Sequence, residues 1–224
     1  MREEDRMPLF PLGLVLLPGM PLPLHIFEER YKLMIAECLD QHKVFGIVYV
    51  EAQGMRKVGC SARILEVLKR YEDGQMDIMT VGEQRFVIRD LHESKAYMEA
   101  DVVFFDDEPE AQAGETEAVA REGVALLIQL NSILGHEMDA KTIQDLDVQS
   151  LSFLIASQEG FTPDEKQSFL QMTSVGERLE KGVKSLKRLI KRVGLTLEIK
   201  KIIGGNGNVP HHMVSRKEPG PQEH

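Results

Sequence analysis

The hydrophobic periodicity of this chain predicts an α+β fold, a β-rich half followed by a helical half. Three observations carry that reading. From Phe10 to Phe105 the apolar residues fall in short β-branched and aromatic runs separated by turn signals. Beyond Thr116 their spacing changes from about 2 to about 3.6 residues, the period of a helix with one buried face. Between the two, Asp106 to Thr116 is acidic, small and interrupted by Pro109 and Gly114, the composition of an exposed linker or loop. The expected organisation is a β-rich part over 7–105, a linker over 106–116 and a helical part over 117–203. A tail over 204–224, rich in Gly, Pro and charge and without a period, is expected to be disordered. At 224 residues with 42% hydrophobic and 28% charged residues, the chain is long enough for a sizeable core.

The first segment, Pro8 to Tyr31, is almost wholly apolar yet cut by five prolines, at positions 8, 11, 18, 21 and 23. Proline fixes φ and removes a backbone donor, so no helix runs through it. A membrane span needs roughly 20 unbroken apolar residues, whereas the longest proline-free piece here is Leu12 to Leu17. Glu3, Glu4 and Asp5 stand where a secretory signal carries positive charge. The reading is a short buried strand around Leu12 to Leu17, a Pro18-Gly19 turn, and a rigid Pro-Leu-Pro-Leu segment feeding a helix. That helix spans Glu28 to Gln41, with Tyr31, Met34, Ile35, Cys38 and Leu39 on one face.

Val44 to Val50 follows as a buried strand. Ser61 to Tyr71 is turned by Asp73-Gly74 into Met76 to Val81, and Gln84 to Leu91 and Met98 to Phe105 complete the set. Gly82 and Arg85 mark a tight turn or bulge and a positioned side chain in the next hairpin. Short strands at this spacing suggest a closed or partly closed barrel.

In the second half, Glu117 to Leu134 and Gln149 to Gln158 read as helices. Thr162-Pro163-Asp164-Glu165 is a capping box with proline at the first helical position, and Ser174-Val175-Gly176-Glu177 is a second box. The last helix extends to about Val193 with a stripe of Leu179, Val183, Leu186, Ile190 and Val193 for burial.

Several stretches resemble a known family in order and rough spacing. They are Leu-Phe-Pro-Leu at 9–12, Val-Leu-Leu-Pro-Gly at 15–19 and Leu-Pro-Leu-His-Ile-Phe-Glu-Glu-Arg-Tyr at 22–31. Phe45-Gly46-Ile47-Val48, Val58-Gly59-Cys60, Asp73-Gly74 and Gly82-Glu83-Gln84-Arg85-Phe86-Val87-Ile88 follow. Leu151 to Ala156 and Thr162 to Gln167 complete them. Over about residues 7–193 the chain resembles the N-terminal, substrate-binding domain of the Lon ATP-dependent proteases. The resemblance implies a PUA-like β pseudo-barrel followed by an α-helical bundle. It also implies a module that contacts unfolded polypeptide and feeds or helps assemble a degradation machine.

The chemistry of that machine is not written in this sequence. No Gly-x-x-x-x-Gly-Lys-Ser/Thr phosphate loop occurs, and Gly204 to Asn208 lacks the lysine. The family's ATPase and serine–lysine protease domains have no room here, so the expectation is a stand-alone, non-enzymatic Lon-domain protein. His92-Glu93 and His136-Glu137 lack a second histidine at metal-ligand spacing, and no cofactor or metal is expected. Asp106-Asp107-Glu108 reads as a solvated loop rather than a catalytic pair. Cys38 and Cys60 read as free, reduced thiols in a cytoplasmic protein. A formal charge of −9 argues against broad binding to nucleic acid or to anionic membranes.

Function is therefore sought in recognition. The candidate polypeptide-binding residues are Leu22, Pro23, His25 and Phe27, whose prolines would present carbonyls and side chains outside any strand ladder. The competing reading is that the same side chains plug the barrel. Glu28 and Arg30 are expected to hold a turn as a pair. A second candidate is the basic stripe Lys181, Lys184, Lys187, Arg188 and Lys191 of the last helix, set against the alternative of a solvated face. Three functions stay open: an adaptor or regulator in protein quality control that binds unfolded or hydrophobic polypeptide, partnered by a protease or ATPase; an RNA- or nucleotide-binding module; and a small-molecule sensor with a pocket in the barrel. Oligomeric state is not legible.

Overall fold

A computed structural model describes residues 6–109, 113–136 and 140–205. Its strands are β1 (Met7–Leu12), β2 (Pro21–Ile26), β3 (Phe45–Glu51), β4 (Gly54–Arg70), β5 (Met76–His92) and β6 (Glu99–Phe105). The helices are α1 (Glu29–Gln41), α2 (Ala113–Leu134), α3 (Ala140–Gln144), α4 (Val148–Ser157), α5 (Pro163–Gln171) and α6 (Val175–Gly205). The fold is α+β, as the periodicity predicts.

The sheet runs β2-β5-β4-β3-β1-β6 and closes through β5–β6. β1 lies parallel to β3 and antiparallel to β6, while β3, β4, β5 and β6 follow one another antiparallel. β2 stands outside this ring on the first half of β5, over Met76 to Val81. β6 takes the second half, over Arg85 to His92. The last part of β4, Arg63 to Arg70, extends past β3 and pairs with β5 alone. The result is a barrel with a three-stranded arm, β2–β5–β4.

The junction decides the reading of Gly82 in favour of a bulge. β5 is one strand of 17 residues without a turn, and its pairing with β4 is irregular between Cys60 and Ala62, opposite Arg85 and Gly82. Gly82 donates its N–H to Met20 O at 3.0 Å and accepts from Gly19 N at 2.8 Å. A Cβ at Gly82 would stand 2.3 Å from Leu17 O, so glycine is required by close approach of the incoming chain. The strand expected at Leu12 to Leu17 is displaced to Met7–Leu12, and Leu16 and Leu17 are buried without being in a strand. The Asp73-Gly74 turn forms, with Gly74 at φ +81°.

Alternation along β1 and β3 serves two hydrophobic clusters. Met7, Leu9, Val48, Phe86, Ile88 and Ala100 form the smaller one. Phe10, Ile47 and Cys60 belong to the larger, which takes in Tyr31, Met34, Ile35 and Cys38 of α1 and continues into the helices. Phe10 packs its ring 4.1 Å from Tyr31 and 6.2 Å from Phe45. Both cysteines are buried and free, and burial pushes each thiol up to about 12.

Two helices, α5 and α6, start where the sequence marks them. Thr162 Oγ1 accepts from Glu165 N at 3.2 Å while Glu165 Oε2 accepts from Thr162 N at 2.9 Å, the reciprocal capping box. Ser174 caps α6 through Glu177 N at 3.2 Å. Asp147 caps α4, an N-cap the sequence reading passed over. α6 extends to Gly205, twelve residues past its expected end at Val193. Leu189 joins its buried stripe, while Ile190 and Val193 are half-buried and pack against the core. α2 begins at Ala113, within the segment expected to be a linker. The expected tail is Gly204 and Gly205 at the end of α6 and residues 206–224, which lie outside the described residues.

Candidate functional site

The arm has an inner and an outer face, and the register assigns residues to each. Leu22, Leu24 and Ile26 of β2 stand opposite Thr80, Ile78 and Met76 of β5. Ile64 and Val67 of β4 continue those rows. Ile26, Met76 and Ile78 are core, and Leu22 and Leu24 pack against it. The alternate residues face outward: Pro21 opposite Val81, Pro23 opposite Met79, His25 opposite Asp77. Two irregularities in β4, between Ile64 and Glu66 and between Val67 and Lys69, set Leu65 and Leu68 as extra residues. In a bulge two residues oppose one partner, so Leu65 joins Glu66 on the row of Met79, and Leu68 joins Lys69 on the row of Asp77.

The outer face therefore carries apolar side chains on the row of Pro23, Met79 and Leu65, with Leu68 on the next row and Phe27 at its end. Phe27 is 58% exposed, Leu65 50% and Leu68 51%, with Pro21 and Pro23 also exposed and Met79 and Val81 half-buried. Charge rims it. Arg63 pairs with Glu83. Glu28 and Arg30 pair with one another at 2.8 Å, as expected, and the Arg30 guanidinium lies 4.5 Å over the Tyr31 ring.

Of the four candidate residues, Pro23, His25 and Phe27 lie outward and Leu22 turns inward. The expectation that this segment lies outside any ladder is corrected: β2 pairs with β5 along its whole length. Among the described residues no strand pairs with its far edge, but Pro21 and Pro23 carry no N–H, and the bulges interrupt the far edge of β4. Prolines and bulges are the devices by which edge strands resist strand addition, so the arm presents side chains rather than a free ladder. Sequence reasoning missed Leu65, Leu68 and Met79. The available signal was Ile64-Leu65 and Val67-Leu68, apolar pairs that strict alternation cannot bury together.

The basic stripe is largely engaged within the molecule. Lys181 donates to Ser168 Oγ and sits 5.0 Å over the Phe169 ring. Lys187 pairs with Glu122 of α2 at 2.6 Å, and Lys184 lies 3.8 Å from Glu180. Arg188 donates to Ser185 Oγ and Arg192 to Gly160 O. Lys191 is exposed. A separate concavity of about 590 Å³ opens between α2, α3 and α4, lined by Ala120, Val124, Ile128, Ile143, Leu146 and Leu151.

Asp107 is not the solvated carboxylate expected of an acidic loop. Its side chain is 8% exposed and lies between two buried guanidinium groups, Arg85 at 2% and Arg178 at 0%. Arg178 donates to both its oxygens at 2.7 Å, and Arg85 donates to Oδ1 at 2.7 Å. Arg178 also donates to Ser152 Oγ and Met172 O, and its guanidinium stacks 4.0 Å from the Phe153 ring. Burial works against the Asp107 charge, but Arg178 and then Arg85 outweigh it and hold the carboxyl below its usual range. The cluster ties β5 and the end of β6 to α4, α5 and α6, which makes it a clasp rather than a reaction centre. Among the described residues, no group of three His, Cys, Asp or Glu side chains is placed to hold a metal.

The class the structure defines is an α+β fold, a closed barrel with a projecting three-stranded arm, clasped to a helical bundle. The chain belongs to the family of the ATP-dependent protease La (LON) substrate-binding domain, whose profile matches residues 6–188. It is similar to the Lon protease of Roseiflexus castenholzii, 28% identical over 193 residues, covering 81% of this chain and 24% of that protein. The Lon protease of Flavobacterium johnsoniae is 27% identical over 185 residues, covering 77% and 22%. The chain thus spans about a quarter of the length of these relatives. The fold is shared with a Lon N-terminal domain protein from Xanthomonas campestris, at TM-score 0.63, 22% identity and coverage of 79% and 96%. It is shared also with the N-terminal domain of Mycobacterium avium complex Lon protease, at TM-score 0.67, 21% identity and coverage of 82% and 98%.

Proposed function

We propose that this chain is a non-catalytic recognition module that binds apolar segments of unfolded or partly folded polypeptides on the outer face of the β2–β5–β4 arm. Its role is that of an adaptor or regulator in cytoplasmic protein quality control, with a protease or ATPase as the onward partner. The observation that carries the reading is that Phe27, Leu65 and Leu68, each about half exposed, lie on the same outer face as Pro23 and Met79. Burying one such side chain fully is worth roughly 1.5–3 kcal/mol, so a client covering three of them gains enough for weak, reversible capture. A face that reads apolar side chains without a strand ladder is tolerant of client sequence. Family membership in a substrate-binding domain supports the same reading.

The test is fluorescence anisotropy with reduced, carboxymethylated α-lactalbumin as the unfolded probe, over a salt titration with a single-stranded RNA beside it. Polypeptide binding is expected to survive high salt, because apolar burial is not screened. It should weaken at least about tenfold in the Leu65→Asp/Leu68→Asp double variant, a change of about 1.4 kcal/mol. Leu22→Asp is the wrong probe, since Leu22 packs against the core. Binding that the double variant leaves intact removes the surface from consideration. Steeply salt-dependent RNA binding in its place supports the nucleic-acid alternative.

A further inference from the structure

The outer face of the arm ends in a cluster whose geometry specifies a protonation state. His25 Nδ1 lies 2.6 Å from Asp77 Oδ1, and Nε2 lies 3.0 Å from Gln75 Oε1. A neutral imidazole has one donor and one acceptor nitrogen, so it satisfies two acceptors only when both nitrogens carry protons. Flipping the Gln75 amide would remove that requirement. Its Nε2, however, donates to Asp73 Oδ2 at 2.7 Å, and a flip would set two acceptors against each other there. Asp77 is held as well, its Oδ2 accepting from Tyr71 OH at 2.8 Å.

Four pieces of chain meet at this cluster. β2 supplies His25, β5 supplies Asp77, and the β4–β5 turn supplies Tyr71, Asp73 and Gln75. α1 supplies Lys32, which donates to Asp73 O at 2.8 Å. Phe27 stacks on the imidazole at 5.9 Å and 22°, and Tyr71 meets it edge-on at 5.8 Å. From β4, the Lys69 ammonium sits 4.3 Å over the Tyr71 ring. The charges facing His25 are therefore Asp77 and Asp73, with Lys69 and Lys32 one group further out.

We propose that His25 is a protonation latch on the client face. As an imidazolium it pins the β4–β5 turn to β2 and seats Phe27 and Tyr71 at the end of the face. Its deprotonation frees that end and weakens the capture of apolar segments. The effect on capture rests on the reading of this face as a polypeptide-binding surface. The proton that leaves is the one on Nε2, because the Asp77 carboxylate holds the one on Nδ1. The Nε2 lone pair then faces Gln75 Oε1, an acceptor against an acceptor.

The hydrogen bond to Asp77 raises the His25 imidazole above 6.5, with burial opposing and the charges of Asp77 and Asp73 and the Gln75 bond assisting. A group raised on folding contributes fully below its unfolded value, and the contribution is lost as pH rises through the folded value. The latch is thus closed in mildly acidic solution and opens above 6.5.

Two readouts test it, the first independent of any client. Histidine ring resonances and intrinsic-rate-corrected amide protection of residues 71–75 are followed from pH 5.5 to 8.5 in wild type, His25→Gln and Gln75→Ala. The expected result is a His25 midpoint above 6.5, a fall in turn protection through that midpoint, no such fall in His25→Gln, and a lower midpoint in Gln75→Ala. Anisotropy with carboxymethylated α-lactalbumin over the same range should show wild-type affinity falling about three- to tenfold, the scale of one solvent-exposed hydrogen bond, and a flat profile in His25→Gln. A midpoint at or below 6.5, or equal pH profiles of protection in wild type and His25→Gln, overturns the latch. No client binding at any pH overturns the face reading and the capture half of the proposal, whereas a step in protection that His25→Gln abolishes still supports the latch itself.

Discussion

At the Arg85–Asp107–Arg178 clasp three ionised side chains have left water almost completely, at 2%, 8% and 0% exposure. On the outer face of the arm three large apolar side chains, Phe27, Leu65 and Leu68, keep half or more of their surface in water. Each region inverts the usual partition of polar out and apolar in, and for opposite ends. A buried charge is tolerable only when its partners are fixed in space, so the clasp sets the barrel against α4, α5 and α6. Exposed apolar groups carry no directional demand, so they leave the face free for contacts of many shapes. The first region specifies one structure, and the second is available for many partners.

The largest effect expected from breaking this contrast is at Asp107. Asp107→Ala leaves two guanidinium groups buried without their carboxylate, and urea unfolding should show a loss of about 3–5 kcal/mol. A carboxyl held low on folding contributes above its unfolded value and loses that contribution as pH falls through the folded one. Wild type should therefore lose stability below about pH 4, and Asp107→Ala should lack that part of the acid sensitivity. A variant as stable as wild type would show that the clasp is ornamental.

Gly82→Ala comes next. It places a methyl group 2.3 Å from Leu17 O at the root of the arm, and the overpacking should cost about 1–3 kcal/mol in the same assay.

Phe27→Ser should leave stability within about 0.5 kcal/mol, as surface changes do. It should still weaken polypeptide binding about threefold or more, having lost one apolar anchor. Equal losses of stability and binding would make Phe27 a packing residue and erase the distinction between the two regions. The smallest effect belongs to Lys184→Gln/Lys187→Gln/Lys191→Gln. Surface ion pairs are worth about 0–1 kcal/mol, so neither stability nor polypeptide binding should move appreciably. A large loss of RNA binding in this variant would give the stripe a function of its own.

Much of the fold was readable one element at a time. The Asp73-Gly74 turn, the inward face of α1 and the Thr162–Glu165 capping box each depend on residues within a few positions of one another. The site was only half legible, because the outer face is an agreement among three strands. His25 and Phe27 stand out in the sequence, but Leu65 and Leu68 join them only through the pairing of β4 with β5 and the irregularities within it. Leu22, equally prominent in sequence, turns inward by the same register. Asp107 was misjudged for the same reason: an acidic run looks solvated until Arg85, 22 residues before it, and Arg178, 71 residues after it, are brought alongside.

By itself, then, the sequence determined most of the elements, the α+β class and the family, because hydrophobic period, turn chemistry and caps act over one or two turns of chain. Tertiary structure alone decided that β5 serves two neighbours in succession, that an acidic loop supplies a buried anion, and that scattered leucines form one exposed face. Strand pairing and the satisfaction of buried charge are contacts between residues far apart in the chain, and no local pattern encodes them.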